Sequence, residues 1–225
     1  LAAKLGAEIV CADSRQVYAG MAISTAQPSA ADRARIAHHL YGALDPARDA
    51  MNAGRFTRDA DALVDAIHAR GKHAILVGGT GLYLRAWRVG LDEHSDMNAL
   101  LARPPRRPAI WLLVDAALEV LEQRIRSRTQ AMFAGGLVDE ARALAHHLPA
   151  GHALLGTLGI TEALALASGA LDRDAATAQT GIRTRQYARR QRTWFKKEPW
   201  WSRLDGSSDA LVDDAMATIE PSLRA

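Results

Sequence analysis

Cysteine is nearly absent from these 225 residues: Cys11 stands alone. A single thiol builds no disulfide framework within the chain, so a reducing cytoplasm is the expected compartment. No apolar run approaches the ~18 residues that crossing a bilayer takes, and nothing reads as a secretory leader, so membrane is not an expected partner. Lysine is scarce too. Of 28 basic residues only Lys4, Lys72, Lys196 and Lys197 are lysines, which leaves 24 arginines. Arginine forks fit phosphate oxygens bidentately, although a bias towards Arg and Ala codons raises the same total. Methionine does not open the chain. LAAKLG reads instead as the last turns of a helix stopped by Gly6, as though residues before Leu1 were missing. The remaining balance is ordinary: 48% hydrophobic and 24% charged residues, with a net charge of +3, suffice for a globular core.

The stretch Ile9–Met21 organises the rest. Ile9, Val10 and Cys11 predict a buried strand, and Asp13, Ser14, Arg15 and Gln16 follow at its carboxyl end. In open α/β sheets that edge is where ligands bind. A carboxylate there accepts a proton or a hydrogen bond, and a Gln amide reads the edge of a base. The alternative is that Asp13 merely caps the next turn. Ala22–Pro28 reads as irregular, and 29–36 as a short helix. His38 and His39 are neighbours that point apart, and no third ligand completes a zinc set.

Phe56, Ala60, Leu63 and Ile67 recur at helical spacing, and Gly71 is the stop. A strand ending at Val77 then runs into Gly78-Gly79-Thr80-Gly81, the elements of a phosphate or substrate loop, or of a plain tight turn. Residues 92–108 carry three prolines and no sustained period, and read as a linker or a remnant of something larger. Ala109–Val114 restores a strand. Two helices joined near Gly135 and Gly136 follow, and Arg124 and Arg128 share a face of the first. Two guanidiniums one turn apart suit a diphosphate clamp, or simply a solvated face. Between Arg183 and Lys197 there are seven basic residues in fifteen and no acid. Thr184, Tyr187, Ala188, Gln191, Trp194 and Phe195 form one stripe of that segment, which predicts a basic amphipathic helix and a nucleic-acid footprint; its rivals are a solvated face and a membrane-surface helix, for which the stripe is too polar. A strand near 200–204 and a closing helix near 210–219 end the chain.

Together these motifs resemble the tRNA dimethylallyltransferases. The likeness is carried by Asp13-Ser14-Arg15-Gln16-Val17-Tyr18 with Met21, by His38-His39-Leu40 and by Asp45-Pro46. It continues through the run from Ile75 to Arg85, Arg124 to Arg128 with Met132 and Gly136-Leu137, and Thr184 to Phe195. They occur in the family's order over nearly the whole chain. The resemblance implies a P-loop-kinase-like α/β core, a parallel sheet flanked by helices, over residues 1–91 and 109–225. The family's helical insertion is reduced to 92–108. It also implies transfer of a dimethylallyl group from dimethylallyl diphosphate to N6 of the adenosine 3′-adjacent to a tRNA anticodon, by a cytoplasmic enzyme expected to be a monomer. Asp13 matches the general base. Ser14 and Gln16, with Arg15 between them, match positions around the extruded base. Gly79 and Thr80 match the substrate turn, and Arg128 with Arg124 the diphosphate grip. Arg185, Arg189 and Arg190 fall on the helix expected to bind the tRNA backbone. Mg²⁺ is implied as well, with no protein metal cluster to name.

This sequence departs from the family's pattern. The glycine-rich loop ending in Gly-Lys-Ser or Gly-Lys-Thr, with its hydroxyl for Mg²⁺, is expected before Leu1 and is not in these residues. Ala22, Ser24 and Gln27 replace Asp, Gly and Lys, and Gly159-Ile160 replaces Gly-Tyr. The 225 residues expressed alone are therefore expected to show little activity. Two other readings follow: an inactive RNA-binding relative, and a prenyltransferase acting on free adenine nucleotides.

Overall fold

The structure is a computed structural model that describes residues 1–90 and 99–223. It opens with a single turn, α1 (Ala2–Leu5), ended by Gly6 in the left-handed region at φ 59°. Strand β1 (Glu8–Cys11) follows, with Val10 and Cys11 fully buried. After it come α2 (Ala22–Thr25), α3 (Ala30–Arg35) and the two-residue β2 (His38–His39). Helix α4 (Ala53–Ala69) starts on Asn52, whose side chain accepts from the Arg55 N–H at 2.9 Å. Its buried Phe56, Ala60, Val64 and Ile67 keep the 3–4 spacing that makes one helical face. Next are β3 (Ala74–Val77), α5 (Gly81–Val89), β4 (Leu112–Asp115), α6 (Leu118–Ala134) and α7 (Leu137–His147). Helices α8 (Ile160–Ala167) and α9 (Arg173–Phe195), strand β5 (Ser202–Asp205) and α10 (Leu211–Leu223) complete the described chain.

Among the described residues all the strand pairings are parallel: β1 lies between β2 and β3, with Ile9 opposite His38 and Val10 opposite Leu76, while β4 pairs with β5. Parallel strands are joined by crossover helices, which is why helices flank the sheets. Cys11 and Ala12 face opposite sides of β1 and enter different cores. Cys11 packs with Met21, Met132, Leu137 and Ile160; Ala12 packs with Phe56, Tyr83, Trp87 and Phe195.

Residues of β3 and β4 both line an apolar cavity of about 880 Å³, and Trp111 and Trp201 also border it. Val77, Ile110 and Val114 are 44%, 40% and 56% exposed in this region. One end of the cavity reaches Gly78, Gly79 and Asp115, but Asp13 is not among its walls.

Three expectations need correcting. Ala22–Pro28 is not wholly irregular: Glu140 of α7 accepts from the Ile23 and Ser24 N–H groups at 2.7 and 2.8 Å, capping α2 from the far side of the sequence. No local pattern announces a cap that distant. The basic helix begins at Arg173 rather than near Gly181, because Asp172 accepts from the Ala175 N–H at 2.7 Å and starts it two turns earlier. Strand β4 starts at Leu112, three residues after the expected Ala109. Of the stretch 92–108, residues 92–98 lie outside the described residues. Beyond them the chain lies against α4, where Arg106 and Arg107 donate to Asp61 at 2.8 and 3.3 Å and Arg107 also pairs with Asp65. No helix among the described residues is long and apolar enough to cross a membrane.

Candidate active site

At the carboxyl end of β1 the chain makes a tight turn on Asp13. Its Oδ1 accepts from the backbone N–H of Arg15 at 2.8 Å and of Gln16 at 3.2 Å. Asp13 therefore does cap the turn. That uses one oxygen only: Oδ2 takes no hydrogen bond among the described residues, so the half-buried carboxylate keeps an acceptor for something else.

The Gly-Gly-Thr turn after β3 lies directly against this segment. The Ser14 N–H donates to Thr80 Oγ1 at 3.0 Å, and the Thr80 N–H donates to the Ala12 carbonyl at 3.4 Å. Such closeness requires glycine. A Cβ on Gly78 would sit 2.1 Å from the Ala12 carbonyl oxygen, a backbone atom that cannot swing away. Two motifs 66 residues apart in sequence thus form one edge.

Gln16 donates from Nε2 to the Thr25 carbonyl at 3.1 Å, leaving its side-chain oxygen free to accept. Gln27 braces the same turn, donating to the carbonyls of Gln16 and Tyr18 at 2.9 and 2.8 Å while Arg33 donates to its Oε1 at 3.1 Å. The Gln that departs from the family's Lys here is a built-in strut. The isoleucine of Gly159-Ile160 is likewise absorbed, fully buried in the larger core.

Arg128 of α6 lies within the electrostatic reach of the acid. Crowding by protein lowers its pKa, and the Asp13 charge works the other way. Its side chain is exposed by area, so it is a desolvated cation that remains reachable. Neither Arg128 nor Arg15 makes a side-chain hydrogen bond or ion pair among the described residues. Three tyrosines share this field. Burial raises the pKa of Tyr83 to about 12 and that of Tyr41 further, and it also raises Tyr187; the Asp13 charge acts on all three. These hydroxyls stay neutral at working pH. Arg124 is placed elsewhere: its guanidinium donates to the Gly206 carbonyl at 2.9 Å, in the turn after β5.

Helix α9 supplies the remaining candidates. Arg185, Arg189 and Arg190 are exposed, while Thr184, Tyr187, Ala188, Gln191 and Trp194 are half-buried on the inner stripe. Arg190 lies 5.8 Å from the centre of the Tyr187 ring. Sequence reasoning singled out the stripe but missed what its inner end does: Gln191 Nε2 donates to the Gly79 carbonyl at 3.0 Å. The signal was there in a carboxamide standing between Ala188 and Trp194 on the inner stripe. Tyr187, one turn earlier, was also passed over as a neighbour of Asp13.

A parallel α/β sheet with an acid and a glycine turn at its carboxyl edge, an unpaired arginine nearby and a basic helix alongside defines a class. It is an α/β protein with a charged site at the carboxyl edge of a parallel sheet. The profile of the family described as IPP transferase matches residues 16–105 and 91–198, and the chain belongs to that family. A tRNA dimethylallyltransferase of Anaeromyxobacter sp. (strain K) is 35% identical over 286 residues, covering 100% of this chain and 93% of that one. Among solved structures, the full-length tRNA isopentenylpyrophosphate transferase of Bacillus halodurans matches with a TM-score of 0.82 at 25% identity, covering 99% and 89%. The tRNA delta(2)-isopentenylpyrophosphate transferase of Staphylococcus epidermidis matches with a TM-score of 0.85 at 23% identity, covering 98% and 92%, a likeness of fold.

Proposed function

We propose that this protein transfers the dimethylallyl group of dimethylallyl diphosphate to N6 of the adenosine 3′-adjacent to the anticodon in tRNA, with Asp13 as general base. One observation carries the reading: an acid with a free oxygen is tied to the Gly-Gly-Thr turn through the 3.0 Å bond from Ser14 to Thr80. In the reaction the N6 lone pair forms a C–N bond to the terminal CH₂ carbon of the dimethylallyl group. The C–O bond to the diphosphate breaks, and its electron pair leaves on oxygen. The N6 proton passes to Asp13. An exocyclic adenine amine is a weak nucleophile because its lone pair is delocalised, so removing the proton as the bond forms matters. Arg128 and the N–H groups of the turn counter the charge growing on the leaving group. Ser14, Arg15 and Gln16 line the place of a base taken out of its stack, and the free Gln16 oxygen accepts from an adenine amine.

The exposed Arg185, Arg189 and Arg190 on one basic helix favour a polynucleotide over a free nucleotide, since several cations on one helix suit several phosphates. Among the described residues no three His, Cys, Asp or Glu side chains converge. Mg²⁺ is commonly held by one or two protein oxygens together with substrate phosphates and water rather than by a protein cage, so here the diphosphate would bring it.

The test is transfer from radiolabelled dimethylallyl diphosphate to tRNA by the intact gene product, with AMP as the competing acceptor. Product in tRNA supports the reading. Tight tRNA binding without diphosphate release would make the protein a binder, and preference for AMP would make it a nucleotide prenyltransferase.

A further inference from the structure

The Gly79–Thr80 peptide unit is held from both sides. Its carbonyl accepts from Gln191 Nε2 at 3.0 Å, and its N–H donates to the Ala12 carbonyl at 3.4 Å. A peptide unit is planar and turns as one body, so fixing its oxygen fixes the direction in which Thr80 leaves it. Thr80 Oγ1 in turn receives the Ser14 N–H next to Asp13. Gln191 thus stands at the head of a short chain of interactions ending at the acid.

The sterics show how closely α9 presses on the turn. A Cβ on Gly79 would lie 2.1 Å from Gln191 Nε2, and a Cβ on Gly81 would lie 2.2 Å from Trp194 Nε1. Glycine at 79 makes room for the amide, and glycine at 81 makes room for the indole. Trp194 has little freedom to yield, because the Arg85 guanidinium stacks 4.3 Å from its ring centre and Arg85 is itself buried against Glu198 at 2.8 Å. Arg192 donates to Asp115 at 3.1 Å and ties the same turn of α9 to the end of β4.

We infer that Gln191 is a positioning residue: its carboxamide sets the plane of the Gly79–Thr80 peptide and so aims Thr80 and Ser14 at the reacting groups. This deepens the transferase reading and rests on it for its kinetic consequence. Gln191→Met keeps length and shape but removes the donor; Gln191→Glu keeps shape and puts an acceptor against the carbonyl. Both are expected to lower kcat by about tenfold or more and raise KM for dimethylallyl diphosphate several-fold, with Kd for tRNA unchanged. Gly79→Ala expels the amide, so it should reproduce the Gln191→Met effect, and the double variant should be no worse than either single one. A merely space-filling Gln191 predicts the reverse: Met tolerated, and the two effects additive.

Amide hydrogen exchange separates failure of this inference from failure of the transferase reading, because it needs no turnover. In the Gln191→Met chain, the Ser14 and Thr80 amides should exchange at least tenfold faster while amides of α4 stay as slow as before. Unchanged exchange at Ser14 and Thr80, or a kinetic loss confined to tRNA affinity, overturns the inference even if the native chain transfers the dimethylallyl group.

Discussion

Glu8 and Asp13 stand at the two ends of the same short strand, and their surroundings could hardly differ more. Glu8 is 5% exposed and answered on every side: Arg70 donates at 2.6 Å, Lys72 at 3.0 Å, and His39 Nε2 lies at 2.7 Å. The Arg70 hydrogen bond, then those of His39 and Lys72, hold its pKa at about 2 rather than 4.5. Five residues on, Asp13 uses one oxygen on its own turn, and Arg128 and Arg15 nearby have no side-chain partner among the described residues. Charges that hold the fold neutralise one another. Charges left unmatched at a sheet's carboxyl edge are candidates for binding a ligand, because desolvating a cation without a partner costs free energy that binding can offset.

The comparison breaks most sharply at Asp13. Asp13→Ala should cut turnover by roughly 10²–10⁴, the usual worth of a general base, and leave tRNA affinity within a few-fold. Single-turnover kinetics on preformed tRNA complex read the two separately. A collapse of affinity with normal turnover of bound tRNA would mean the acid is a binding residue. Arg128→Ala comes next: about 10²-fold in kcat/KM, with a lowered kcat as well as a raised KM for dimethylallyl diphosphate. An effect confined to tRNA binding would place Arg128 with the basic helix instead. Arg124→Ala sharpens the contrast, since its bond to Gly206 predicts lost stability in β5 and little change in that KM.

How much of this was readable beforehand divides along the same line. Local signals gave the strands ending at Cys11 and Val77, the Gly6 stop, the Phe56–Ile67 face and the division of α6 from α7 at Gly135 and Gly136. Those depend on periodicity and glycine, which act within a few residues. The juxtaposition of Asp13 with Thr80 was legible only through the rule that ligands gather at the carboxyl edge. Interactions spanning the fold were not legible. The Glu140 cap on α2 and the Gln191 bond to Gly79 join residues more than 100 positions apart. Arg124 shows the limit from the other side: sharing a helical face with Arg128 was correctly read, yet side chains four residues apart can answer to different neighbours.

On α9 the expected effect is on affinity alone. Replacing Arg189 and Arg190 together by Ala should weaken tRNA binding several-fold. The slope of log affinity against log salt should fall by about 0.7–0.9 for each phosphate no longer neutralised. Turnover of saturated enzyme should not move. If the slope is unchanged, these exposed arginines are a solvated face and the tRNA surface lies elsewhere.

Glu8→Gln is the opposite pole, with no expected effect on turnover of folded protein. Its signature is in stability against pH. A carboxylate whose pKa falls on folding stabilises the native state above its unfolded value, near 4.5, and that contribution is lost as pH drops through the folded value, near 2. Arg70 and Lys72 stay about half exposed, at 47% and 49% of their side chains. Solvent screening therefore trims the contribution to about 1–2 kcal/mol. Denaturant melts of the native chain should weaken between pH 4.5 and 2, and this part of the slope should be missing in Glu8→Gln. The same melts on Asp13→Asn should keep that slope, because the network around Glu8 is untouched. Should Asp13→Asn flatten it and Glu8→Gln leave it, the roles assigned to the two ends of β1 would have to be exchanged.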